Sequence, residues 1–117
     1  MSDTPASTPV VIEKAADAVI ARVQVKLLDD KDLKVLSQLI DQSASEAGVA
    51  MVVIDLSRVQ ILPSLGLGAL VQISNKCKAR GQPLKLAAVQ PGIRKVFAIT
   101  RLDRILDLVD SVEAALQ

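Results

Sequence analysis

A chain of 117 residues, half of them hydrophobic, fits one domain and leaves no room for two. Phe97 is the only aromatic residue, the formal net charge is +1 and basic residues form no run, which argues against base stacking, a nucleic-acid footprint and a polybasic membrane anchor. Histidine is absent and Cys77 is the single cysteine, so the commonest general base, the commonest metal ligand and an intramolecular disulfide are all missing; no catalytic residue, metal or cofactor is expected.

Residues 1–9 are rich in Ser, Thr and Pro and have nothing to bury, so they are read as a flexible tail ahead of a single domain over 10–117. The start lacks the basic and apolar run of a secretory signal, and no apolar stretch is long enough for a membrane span; a cytoplasmic protein is expected. Val10 to Ile12 begins an extended segment and Lys14 to Asp17 reads as its turn. From Val19 to Lys26, Val19, Ala21, Val23 and Val25 alternate with Arg22, Gln24 and Lys26. Period two predicts a strand exposed on one side, in a hairpin at a sheet edge.

Asp29, Asp30 and Asp32 suit the positive end of a helix, with Asp29 as its capping residue; Leu33, Leu36, Leu39 and Ile40 are its apolar stripe and Gly48 its stop. Met51 to Leu56 and Leu84 to Val89 are almost continuously apolar, as strands buried on both faces of a parallel sheet are. Ser64 to Arg80, closed by Gly81, supplies the crossover helix between them. Pro91 opens a third helix with the stripe Ile93, Val96, Phe97 and Thr100. Ile105 to Val109 reads as an edge strand, and Asp110 or Ser111 caps a last helix through Leu116. The fold class is α/β: a mixed four- to five-stranded sheet with helices packed against it.

The stretch that bears on function is DLSRVQILPSLGLGAL, Asp55 to Leu70. It leaves the C-terminal end of the central strand, where binding sites gather in open α/β sheets. Pro63 bars Leu62 from helical geometry, which places Ser64 as the cap, accepting from the amide of Gly66 or Leu67 and worth about 1 kcal/mol against alanine. By three-and-four spacing Leu65, Gly68, Gln72, Asn75 and Ala79 share an exposed face, while Leu70, Ile73 and Cys77 point to the core. Each glycine inside a helix costs roughly 1 kcal/mol relative to alanine, so Gly66 and Gly68 suggest close approach of another backbone, within the domain or from a partner. The expected partner-binding set is Leu62, Pro63, Ser64, Leu65, Gly66, Gly68 and Gln72, with Asp55 and Ser57 as structural loop residues. Helix-start amides and a Gly-x-Gly pair also suit phosphate, but no Lys-Ser/Thr pair completes a P-loop, and nucleotide binding ranks below protein binding.

The same stretch resembles the signature of the STAS domain of anti-sigma factor antagonists. Asp55-Leu56-Ser57 matches the family's turn after the central strand, and Gly66-Leu67-Gly68 matches its helix opening. Leu28-Asp29 resembles the opening of the family's first helix, and KCKARGQPLKLAAVQPGIRKVFAITRLDRIL looks like its remaining half. The resemblance implies a non-enzymatic partner switch. The unmodified module binds an anti-sigma factor that is a serine kinase, and serine phosphorylation at the helix start breaks the complex. It also implies an alternative, a scaffold domain that packs against sister domains in a larger signalling assembly; self-association as a weak homodimer is a further expectation. Where the family has Asp-Ser-Ser-Gly, this chain has Pro63-Ser64-Leu65-Gly66. The usual phosphoacceptor position is Leu65, which leaves Ser64 as the candidate.

Overall fold

The computed structural model describes residues 8–117. Residues 1–7 of the expected tail lie outside the described part, and the carbonyl of Pro9 already accepts a hydrogen bond from the Gln24 amide at 2.7 Å. In chain order the elements are β1 (Val10–Ala15), β2 (Ala18–Val23), α1 (Asp30–Ala44), β3 (Met51–Asp55), α2 (Ser64–Ala79), β4 (Leu84–Ala87), α3 (Pro91–Ile99), a 3-10 turn (Leu102–Arg104), β5 (Asp107–Val109) and α4 (Val112–Leu116).

The five strands form one sheet in the order β1-β2-β3-β4-β5. β1 and β2 are an antiparallel hairpin pairing Val10 with Val23 and Ala15 with Ala18. Its turn needs a left-handed residue, and Ala16 takes that conformation at φ 55°. β2, β3, β4 and β5 are parallel to one another. Three crossovers carry α1, α2 and α3, which bury Leu36, Ile40, Leu70, Ile73, Ile93 and Phe97 in one core cluster with Val52, Ile54 and Leu86 of the sheet. Phe97, the lone aromatic, is fully enclosed there. The opposite sheet face is covered by α4, whose Val112 and Ala115 pack on Ile20, Val53 and Ala87.

That second cluster corrects the reading of the Val19–Lys26 segment. β2 ends at Val23 and is inner, with β1 on one side and β3 on the other. Ile20 sits on the face expected to be wet and is buried by the distant α4. Two other local expectations shift. Gly48, at φ 87°, lies in the loop; α1 stops earlier, with Ser45 as its C-cap. Of the α3 stripe only Ile93 and Phe97 are buried, while Val96 and Thr100 are exposed. Pro91 does open α3 at its first position, and Ser111 caps α4 by accepting from the Ala114 amide at 3.0 Å. Because strand order follows chain order, the sheet has no reversal of the kind that opens a crevice at strand ends. Anything binding at that end meets loops and helix starts instead.

Candidate functional site

Two loops bring the starts of α1 and α2 together. Leu27 and Ile61 form a parallel bridge, and the Lys26 carbonyl accepts from the amides of Gln60 at 2.8 Å and Ile61 at 3.0 Å. The Leu28 amide donates back to the Ile61 carbonyl at 3.1 Å. These bonds satisfy loop backbone that would otherwise need water and fix the two helix starts side by side. Asp29, Asp30 and Lys31 of one and Pro63, Ser64 and Leu65 of the other line a shared shallow depression.

The root of the second loop is held by a polar cluster. Asp55 is buried; its carboxylate accepts from the Ser57 amide at 3.0 Å and from Arg22 Nη1 at 2.7 Å. Arg22 Nε donates to Glu13 Oε1 at 2.8 Å, and that bond, more than the one to Asp55, raises the guanidinium further above its ordinary range. The Ser57 carbonyl accepts from Gln90 Nε2 at 2.5 Å. Asp55 and Ser57 thus shape the loop from below, and Arg22 and Gln90 are the partners that sequence reasoning missed. Arg22 opposite Asp55 is a strand-register relation, invisible until the parallel pairing is known.

The two helix starts are built differently. α1 has Asp29 as N-cap, whose carboxylate accepts from the Asp32 amide at 3.0 Å. This bond, first among the causes, holds the Asp29 carboxyl below the ordinary aspartate value. α2 has no side-chain cap at all: Pro63, in extended geometry at ψ 159°, takes the N-cap position, and Ser64 is already the first helical residue. The expectation of a Ser64 cap is therefore corrected. Pro63 bars Leu62 from helical geometry but does not bar Ser64, so the chain turns into the helix one residue earlier than a serine cap implied. The Ser64 hydroxyl is exposed and carries no capping bond.

Around it, Pro63, Leu65, Gly68 and Gln72 are exposed, Leu62 is half-buried and Gly66 is buried. Leu65 stands 71% exposed; Leu27 and Ile61, joined by the loop bridge, are 45% and 58% exposed. Neither Leu27 nor Ile61 figures among the expected partner-binding residues; each stands among other apolar residues of its loop, so nothing in the sequence singles it out. The two glycines separate in role. A Cβ on Gly66 would lie 2.5 Å from Leu62 Cδ1 and 3.4 Å from Leu33 Cδ1, so the close approach there is by side chains of the domain, not by a backbone. A Cβ on Gly68 would meet nothing within 4 Å. Gly68 instead lines a groove of about 380 Å³ between α1 and α2, with Leu33, Leu65, Ala69 and Ile73 as apolar lining and Lys34 and Lys76 at its sides. Cys77 is buried, and desolvation raises its thiol. Among the described residues no cluster of three metal-ligating side chains occurs, and no helix is long and apolar enough to cross a membrane.

The family model for the STAS domain matches residues 10–115. Among solved structures, an anti-sigma factor antagonist from Mycobacterium paratuberculosis is 25% identical with a TM-score of 0.79, over 98% of this chain and 96% of that one. An anti-sigma-factor antagonist (STAS) domain protein from Planctomyces limnophilus is 18% identical with a TM-score of 0.79, over 92% and 94%. The anti-sigma factor antagonist SpoIIAA in its unphosphorylated form is 19% identical with a TM-score of 0.67, over 89% and 90%. At the two lower identities the likeness is one of fold.

Proposed function

The chain belongs to the STAS domain family, and from that membership we propose that it is a cytoplasmic anti-sigma factor antagonist-like interaction module, not an enzyme, working by partner switching. The observation that carries this reading is the start of α2: an uncapped helix end with exposed Ser64 beside Leu65, the latter 71% exposed, with the bridged pair Leu27 and Ile61 exposed at the same end of the sheet. An apolar anchor of that size, central to a patch and rimmed by polar groups, is the geometry from which a few residues supply most of an interface's affinity. The expected partner is an anti-sigma factor of the serine-kinase type, docking over Leu65 and along the groove past Gly68 and Gln72.

Ser64 is the proposed point of control. A phosphate there adds about two negative charges at a helix N-terminus, which the helix dipole tolerates, so the fold survives. The partner then has to desolvate that charge to cover Leu65, and affinity falls. Asp29 and Asp30, across the shared depression, add like-charge repulsion and lower the tolerance for a second anion. The structural relative described in its unphosphorylated form supports a phosphorylated counterpart in the family.

Calorimetric titration with a serine-kinase anti-sigma factor of the source organism tests the proposal. Saturable binding is expected, weakened at least about tenfold by Ser64→Asp, together with phosphate mapped on Ser64 after incubation with ATP. Equal affinity of Ser64→Asp and wild type would sink the control mechanism; absence of binding by wild type would sink the partner assignment. The scaffold alternative separates on mass, since it requires large assemblies with other STAS chains.

A further inference from the structure

Arg22, Gln24 and Lys26 form a polar row of period two in the sequence, and none of the three belongs to the apolar core. Each of them holds a different part of the segment between β3 and α2. Arg22, the register partner of Asp55, donates from Nη1 to its carboxylate at 2.7 Å. Gln24 Oε1 accepts from Arg58 Nη1 at 2.6 Å. The Lys26 carbonyl accepts from the amides of Gln60 and Ile61, and the row ends at the Leu27–Ile61 bridge. β2 and β3 are parallel, so their chains leave the sheet side by side. Five steps from Arg22 to Leu27 match six from Asp55 to Ile61, with the turn closed by the Val59 amide on the Leu56 carbonyl in between. The loop is thus a slipped continuation of the parallel pairing, held at every second residue of the chain beside it.

The row is itself fixed from the β1 side. Glu13 Oε1 accepts from Arg22 Nε at 2.8 Å, and the Gln24 amide donates to the Pro9 carbonyl at 2.7 Å. The loop does little to hold itself: the Ser57 amide on Asp55 and the Val59 amide on Leu56 are the bonds it makes internally among the described residues. Its order therefore comes from its neighbours, and it leads directly into Pro63, Ser64 and Leu65.

We propose that Arg22 and Gln24 are positioning residues for the partner-binding surface: they hold the loop that sets Ser64 and Leu65 beside the start of α1, without touching the partner themselves. The proposal rests on the function stated above. Ordering a segment at the moment of binding costs affinity for every residue fixed, and a segment fixed beforehand avoids that cost. Without the row, only a fraction of chains present the loop in its competent form, and apparent affinity falls by that fraction. The loss appears in the association rate, because the complex once formed is unchanged.

Amide hydrogen exchange and binding kinetics of the full chain test it. In Gln24→Ala the Gln60 and Ile61 amides should exchange at least about threefold faster than in wild type, with the melting temperature unchanged. Gln24→Glu keeps an acceptor for Arg58 and should exchange as wild type does. Kinetics are read against a serine-kinase anti-sigma factor of the source organism at about 0.15 M salt, where distant charges are screened. Gln24→Ala should associate about three- to tenfold more slowly with unchanged dissociation, Gln24→Glu should recover, and Arg22→Gln, which also frees Asp55, should slow association further. Wild-type exchange at Gln60 and Ile61 in Gln24→Ala overturns the inference. So does unchanged association, a loss that Gln24→Glu fails to restore, or a change confined to dissociation, which marks Gln24 as a contact of the partner. Absence of binding by wild type sinks the partner reading instead, and the exchange rates still decide whether the row holds the loop.

Discussion

The starts of α1 and α2 lie side by side and solve the same problem in opposite ways. Every helix begins with amides that lack an intrahelical partner. α1 meets this from within, with the Asp29 carboxylate on the Asp32 amide and acidic residues in its first turn. α2 begins after a proline, has no capping side chain and no acidic residue in its first turn, and carries Gly66 and Gly68 within its first five residues. Gly66 has a packing reason in Leu62 and Leu33; Gly68 has none inside the domain. Under the function proposed above, the uncapped start is a surface kept for another molecule, at some expense in stability, beside a start whose cap serves the fold.

The sharpest way to break this contrast is Leu65→Asp. Affinity for the anti-sigma factor should drop roughly 30-fold or more by titration calorimetry while melting is unchanged, since the side chain is exposed in the free domain. Gly68→Ala should move stability and binding in opposite directions. The free domain gains up to about 1 kcal/mol, or about 4 °C in melting temperature, and partner affinity falls as a methyl enters the groove. Asp29→Ala should lower the melting temperature by a measurable margin, because α1 loses the cap that α2 never had.

That deficit carries a pH signature. The folded Asp29 carboxyl titrates below the ordinary aspartate value of about 3.9, so its contribution is complete above that value and disappears as pH falls through the lower, folded one. Asp32 acts with the opposite sign, its carboxyl raised first by desolvation and then by Asp29. The difference in melting temperature between wild type and Asp29→Ala should accordingly be constant from about pH 5 to neutrality and close in acid. The smallest effect is Ser64→Ala, which should stay within about 0.5 kcal/mol of wild type in urea denaturation. A loss near 1 kcal/mol there means that Ser64 caps after all.

Sequence periodicity exposed the parts whose burial is decided locally. The apolar runs at Met51 and Leu84 are inner strands, Pro91 opens α3, Ser111 caps α4, and Leu65, Gly68, Gln72, Asn75 and Ala79 do share an exposed face. What escaped was decided at a distance. Arg22, Gln24 and Lys26 made one side of β2 look wet, but Ile20 on that side is covered by a helix of five residues almost a hundred positions later in the chain. At the site, the STAS signature located the loop, and Asp55 holds the Ser57 amide at its root, while Ser64 stands one residue inside the helix it was expected to cap. Whether Pro63 or Ser64 is the last non-helical residue depends on a single ψ angle that proline does not constrain. Leu27 and Ile61 join the surface only through a bridge between two loops, which no pattern within either loop announces.

The strand order has a consequence for how the chain comes to be folded. With β1 to β5 laid down in sequence, the hairpin is available first, and each later strand has its neighbour already in place when it leaves the ribosome. No strand must wait for a segment not yet synthesised in order to pair, so a growing edge is always the one most recently completed. α4, the cover for Ile20, Val53 and Ala87, follows all five strands, and until it arrives the nascent sheet shows water a bare aliphatic face.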